Sequence, residues 1–119
     1  MMNKLGSFVL LGLLAGEPLM AQDAAEGATV FQRRCAACHT LDGSNRVGPS
    51  LQGLVGREAG TAEGFRYSGA MEDSGLMWDA ETLVQYLENP RDMVPGTRMV
   101  LRLPDEEDRR NVVEFLSTQ

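Results

Sequence analysis

The sequence predicts an all-α domain over residues 22–119, preceded by a leader over residues 1–21. Three observations predict it. Apolar residues recur at helical spacing behind acidic caps at three places in residues 22–119. Eight glycines between residues 40 and 77 break regular structure in the middle of the chain. The run Cys35-Ala36-Ala37-Cys38-His39 then sets two thiols and an imidazole side by side.

The leader reads as an export signal. Lys4 supplies a short positive region, Phe8 to Leu14 an apolar run, and Leu19-Met20-Ala21 a small residue at the cut. Glu17 interrupts the apolar run, which falls short of the roughly 20 residues that span a bilayer. The other reading is a leader that stays attached as a membrane anchor. The remaining residues make one domain, expected in the periplasm.

Asp23-x-x-Glu26 resembles a capping box and opens the first helix. Gly27, Val30, Phe31 and Arg34 follow at helical spacing. A mid-helix Gly costs about 1 kcal/mol relative to Ala. It is most easily tolerated where another backbone comes close, so Gly27 and Phe31 are expected to face a second helix. The plainer alternative is a frayed first turn.

Cys-x-x-Cys-His is the pattern for covalent haem attachment. Each thiol can add to a vinyl group, and the adjacent His39 can then present a nitrogen to the iron. A zinc site needs about four ligands, and the chain holds only two Cys and one His. A redox dithiol is the other alternative. The small domain size points the same way as the motif, because small domains bury less surface and often need a staple. Haem is a large flat apolar body that would cross-link the segments around it.

The glycine-dense stretch suits chain wrapped around a ligand. Within it, Val47-Gly48-Pro49-Ser50-Leu51 is rigid and largely apolar. Arg57, Tyr67 and Trp78 are large residues whose polar tips need partners when buried. Haem propionates would serve. Taken singly, each also fits a surface Arg or a core aromatic.

Asp79 can cap a helix carrying Leu83, Tyr86 and Leu87 on one face. Asn89-Pro90 ends or bends it. Pro95-Gly96-Thr97-Arg98-Met99 follows, a turn that presents Met99 in an extended loop. His39 is the only His, so Met99 is a candidate second iron ligand, with core filling as the alternative. Asp105 to Asp108 begins the last helix, and Val112, Val113, Phe115 and Leu116 supply its apolar face. That face is the natural partner of Gly27 and Phe31.

From Gly27 to Leu116 the chain resembles a class I c-type cytochrome of the mitochondrial and photosynthetic-bacterial type. The residues that carry the resemblance are Phe31, Cys35-x-x-Cys38-His39, Gly48-Pro49-x-Leu51, Gly56-Arg57 and Tyr67-Ser68. They continue through Trp78, Leu83-x-x-Tyr86-Leu87-x-Asn89-Pro90 and Pro95-Gly96-Thr97-x-Met99. The resemblance implies the cytochrome c fold, with first and last helices crossing, one or two shorter helices, and Gly-rich loops around one haem c. It implies thioether attachment through Cys35 and Cys38 and iron ligation by His39 and Met99. The Pro49 carbonyl would accept the other imidazole N–H, and Arg57, Tyr67 and Trp78 would hold the propionates. Tyr86 would lie near the Met99 sulfur, and Thr97 would fix the ligand loop. Two departures stand out. Met71 replaces a frequent Asn of the polar network near the haem, and Leu101 replaces a frequent covering aromatic.

The implied function is one-electron transfer as a soluble monohaem carrier, from a cytochrome bc-type donor to a terminal oxidase or photosynthetic reaction centre. With both iron positions filled and no free imidazole, the sequence argues against an enzyme. The alternative is a haem subunit or weak peroxidase whose Met99 bond opens. Net charge is −6, which disfavours nucleic acid as a partner. Family members often carry Lys around the haem edge, whereas here Arg34, Arg46, Arg91 and Arg98 hold comparable places. They are expected to steer a monomer onto acidic surfaces of membrane redox complexes, unless the charges are simply scattered.

Overall fold

The computed structural model describes residues 22–119, together with Val9 and Gly12. The leader expected over residues 1–21 lies otherwise outside the described residues. Among the described residues the elements are all helical: α1 (Ala24–Arg34), α2 (Gly69–Glu72), α3 (Ala80–Glu88), α4 (Pro90–Met93) and α5 (Glu106–Leu116). The all-α expectation is met, and where one or two shorter helices were expected between the first and last, three are present, two of them single turns.

Each long helix starts at the acidic residue that the sequence marks. The Asp23 carboxylate accepts from the N–H groups of Ala25 and Glu26, Asp79 accepts from Thr82, and Asp105 accepts from Asp108. These caps satisfy donors that the first turn leaves unpaired. The capping box of α1 closes differently from the motif. The Asp23 N–H donates to Asn111 Oδ1 at 2.9 Å, not back to Glu26, because α5 carries a buried amide to that point. Pro90 stops α3 and takes the first position of α4, where its missing N–H costs nothing.

α1 and α5 cross at Gly27. A Cβ there would fall on the Asn111 carbonyl and stand 2.8 Å from the Phe115 Cβ. Next to this close approach, the Phe31 and Phe115 rings pack with centroids 5.7 Å apart. The expected pairing of the first and last helices is therefore present, and the frayed-turn alternative is not. α5 also lies on α3, where Arg110 bridges Glu81 and Glu106 at 3.0 Å each.

Residues 40–68 form loops, as their glycines imply. A single antiparallel bridge, Glu58 to Met77, closes this region, with the Ala59 N–H on the Leu76 carbonyl at 2.8 Å. Leu51, Leu54, Met71, Trp78, Leu83, Tyr86 and Leu87 are buried together with Val112 and Leu116 of α5. These same residues form one wall of a cavity.

Candidate functional site

A cavity of about 450 Å³ opens between the Cys35–His39 segment, the glycine-rich loops, α3 and the loop that follows Pro95. Its lining is mostly apolar. Cys35, Cys38, His39 and Met99 all face it, so residues more than 60 positions apart in sequence meet in one chamber.

His39 is held from two directions. Its Nδ1 donates to the Pro49 carbonyl at 2.7 Å, which leaves Nε2 as the free nitrogen. Gly48 lies against the ring, where a Cβ would stand 2.7 Å from Nδ1 and closer still to the neighbouring carbon. Burial pushes the imidazole pKa down, with the Pro49 bond opposing. The neutral form, the one able to ligate a metal, is thereby favoured. Cys35 is buried and its thiol is pushed up to about 11, by burial first, with Arg34 opposing and Cys38 adding. Cys38 is exposed.

Arg57 lines the cavity with its guanidinium pinned to the loop. Nη1 donates to the Gln52 carbonyl at 3.1 Å and Nη2 to the Ser50 carbonyl at 3.2 Å. Its Nε is buried without a partner. Buried donors are rarely left so, and an anionic group in the cavity would satisfy it. Tyr67 also lines the cavity. Its hydroxyl accepts from the Ala62 N–H at 3.0 Å and retains its own proton to donate. Trp78 packs against Tyr86 with ring planes tilted by 55° and centroids 4.9 Å apart.

The Tyr86 hydroxyl meets Thr97 Oγ1 at 2.8 Å, inside the fold. Tyr86 thus reaches the Met99 loop through Thr97. Met71 is buried against the cavity, so an apolar thioether stands where a polar group was common in the resembled family. Leu101 faces the cavity too.

Of the four arginines expected at its mouth, Arg34 and Arg98 line the cavity. Arg46 is exposed and donates to the Ala36 carbonyl within the Cys-x-x-Cys segment at 3.0 Å. Arg91 is exposed on α4 and does not line the cavity, because the one-turn helix from Pro90 turns it elsewhere. Sequence reasoning passed over Arg102, whose carbonyl accepts from Arg34 Nη2 at 3.2 Å. It also passed over Val100, 58% exposed on the rim, and gave Val47, 78% exposed, only as part of an apolar stretch and not as a rim residue. Their signal was weak, since single exposed valines are ordinary. Among the described residues, no acidic residue lines the cavity.

The profile of the cytochrome c family matches residues 24–119. The chain belongs to the cytochrome c family.

Cytochrome c of Stellaria longipes is 46% identical over 97 residues, covering 79% of this chain and 90% of that protein. Cytochrome c2 of Blastochloris viridis is 41% identical over 114 residues, covering 93% and 87%. The solved structure of cytochrome cH from Methylobacterium extorquens superposes with a TM-score of 0.78 at 41% identity, over 82% of this chain and 99% of that one. The protein is therefore a class I c-type cytochrome with the cytochrome c fold, and an electron carrier. Its family implies covalently bound haem c, and Cys35 and Cys38 have the required spacing. The cavity of this cytochrome fits that group. It offers apolar walls, a neutral oriented imidazole, a thioether, and an unpaired buried guanidinium N–H for a carboxylate.

Proposed function

We propose that this cytochrome is a periplasmic monohaem carrier moving single electrons between membrane redox complexes. The observation that supports it best is the convergence of Cys35, Cys38, His39 and Met99 on one apolar cavity. Cys35 and Cys38 hold the haem c by thioether bonds. His39 Nε2 and the Met99 sulfur would ligate its iron. Haem c supplies an iron that gains and loses one electron.

The surrounding residues do the rest. The Pro49 carbonyl fixes the His39 ring and raises its basicity. Arg57, Tyr67 and Trp78 receive the propionates. The Tyr86–Thr97 pair secures the loop bearing Met99. Apolar walls disfavour added charge, and the thioether favours the reduced state, so both raise the reduction potential. With His39 and Met99 as ligands, the chain's only imidazole would be committed to the iron. No free imidazole would remain for general acid–base work, which argues for a carrier and against an enzyme.

The export reading of the leader supports a periplasmic location, with a cytochrome bc-type donor and an oxidase or reaction centre as acceptor. Docking uses the cavity mouth, where Val47 and Val100 form an apolar patch and Arg34, Arg46 and Arg98 the basic rim. Arg91 contributes from further off.

The test is a visible spectrum of the protein made with haem-attachment machinery. A c-type spectrum with weak far-red absorption in the oxidised state is expected. Its absence, or rapid peroxide turnover by the fresh protein, overturns the reading.

A further inference from the structure

Met99 sits in a span whose backbone is tied mainly at its ends. Between them Arg98 Nη1 donates to the Arg66 carbonyl at 2.9 Å, Arg102 Nε donates to the Glu88 carbonyl at 3.1 Å, and the Arg102 carbonyl accepts from Arg34 Nη2 at 3.2 Å. Among the described residues, no backbone N–H from Arg98 to Arg102 is hydrogen-bonded within the protein. The upstream end is fixed at Thr97, whose N–H donates to the Val94 carbonyl at 2.9 Å and whose hydroxyl meets Tyr86. The downstream end is fixed at Leu103 and Pro104. The Leu103 N–H donates to the Leu87 carbonyl at 2.8 Å. The carbonyls of Leu103 and Pro104 both accept from Arg109 Nη1, at 2.7 and 2.9 Å.

Arg109 is an unusual residue for its place. It is only 6% exposed, forms no salt bridge among the described residues, and leaves its Nε buried without a partner. Burying a guanidinium without a carboxylate is costly, and α5 would pack more easily with an apolar residue there. Its neighbour Arg110 takes the exposed ion pairs. What Arg109 alone provides is a two-carbonyl clamp on the end of the Met99 span.

We propose that Arg109 is a positioning residue for Met99: by holding the Leu103 and Pro104 carbonyls against α5, it keeps the ligand loop closed and outside ligands off the iron. This rests on the reading that Met99 is an axial ligand. With the clamp gone, the downstream end keeps the Leu103 N–H bond to Leu87 and the Arg102 bonds but loses both carbonyl contacts to α5, so it is held less tightly. The open population rises, and an outside ligand that binds only the open form gains affinity in proportion.

The experiment measures imidazole affinity of the oxidised, haem-loaded protein, together with far-red absorption. Arg109→Gln is expected to bind imidazole about tenfold more tightly than the natural protein. Val113→Ala is the comparator. It weakens α5 from a buried position that does not line the cavity, and it is expected to stay within about twofold. Arg109→Lys keeps the charge but not the planar fork. It should fall between the two, and it serves alone if the Gln variant does not fold. Natural affinity in the Arg109 variants, or an equal shift in Val113→Ala, overturns the proposal. Met99→Ala tests the underlying reading separately. If it leaves imidazole affinity and far-red absorption unchanged, the ligand assignment is wrong and the clamp falls with it.

Discussion

The Tyr86 hydroxyl lies 2.8 Å from Thr97 Oγ1, two residues before Met99, with both partners buried. This bond joins α3 to the start of the ligand loop. Tyr86→Phe leaves the Thr97 hydroxyl without that partner and is expected to cost about 1 kcal/mol in denaturant unfolding.

The same residue predicts an alkaline response. Burial raises the Tyr86 pKa above its ordinary value of 10.0, with the Thr97 bond opposing. The unfolded chain then loses this proton before the folded one does. The stabilisation is full below pH 10.0 and falls away as pH rises through the higher folded pKa. Stability measured across that range should decline less steeply in Tyr86→Phe.

Gly27→Ala should destabilise the protein although Ala is the better helix former. The added Cβ would fall on the Asn111 carbonyl of α5, which is backbone and cannot swing aside. A loss of about 2 kcal/mol is expected, measured by chemical denaturation. A gain in stability would mean that the helices separate freely.

Arg57→Leu removes a cation from the cavity wall and uncaps the Ser50 and Gln52 carbonyls. A nearby cation disfavours the oxidised, more positive iron centre. The reduction potential is therefore expected to fall, read by redox titration, with Arg57→Lys falling less.

Reaction with an acidic membrane partner should slow as ionic strength rises, because Arg34 and Arg98 stand at the cavity mouth and no carboxylate among the described residues lines it. Arg98→Gln should flatten that salt dependence in stopped-flow measurements. Arg91→Gln, further from the mouth, should change it less.

The helices were legible because their signals are local. Asp23, Asp79 and Asp105 cap within a few residues of themselves, and Pro90 ends α3 at a fixed neighbour. Gly27 was legible for a different reason. A helix Gly four residues before a Phe is costly unless another backbone approaches, and α5 does. Arg109 was not legible. One arginine in a run of charged residues gives no sign that its neighbour Arg110 will face solvent while it turns inward to two carbonyls. The closure of the α1 cap by Asn111 was hidden similarly, since it joins residues 88 positions apart.

The sequence alone determined the chemistry on offer: two thiols and an imidazole in one short segment, one thioether behind a Pro-Gly turn, and a chain too rich in glycine to build its middle without something to wrap. Those are facts of composition and near spacing. Only the tertiary structure decided which side chains share the cavity, which arginines reach its mouth, and what restrains the loop that carries Met99. Such contacts join distant segments. They depend on how α1, α3 and α5 pack around a common chamber, and no local pattern records that packing.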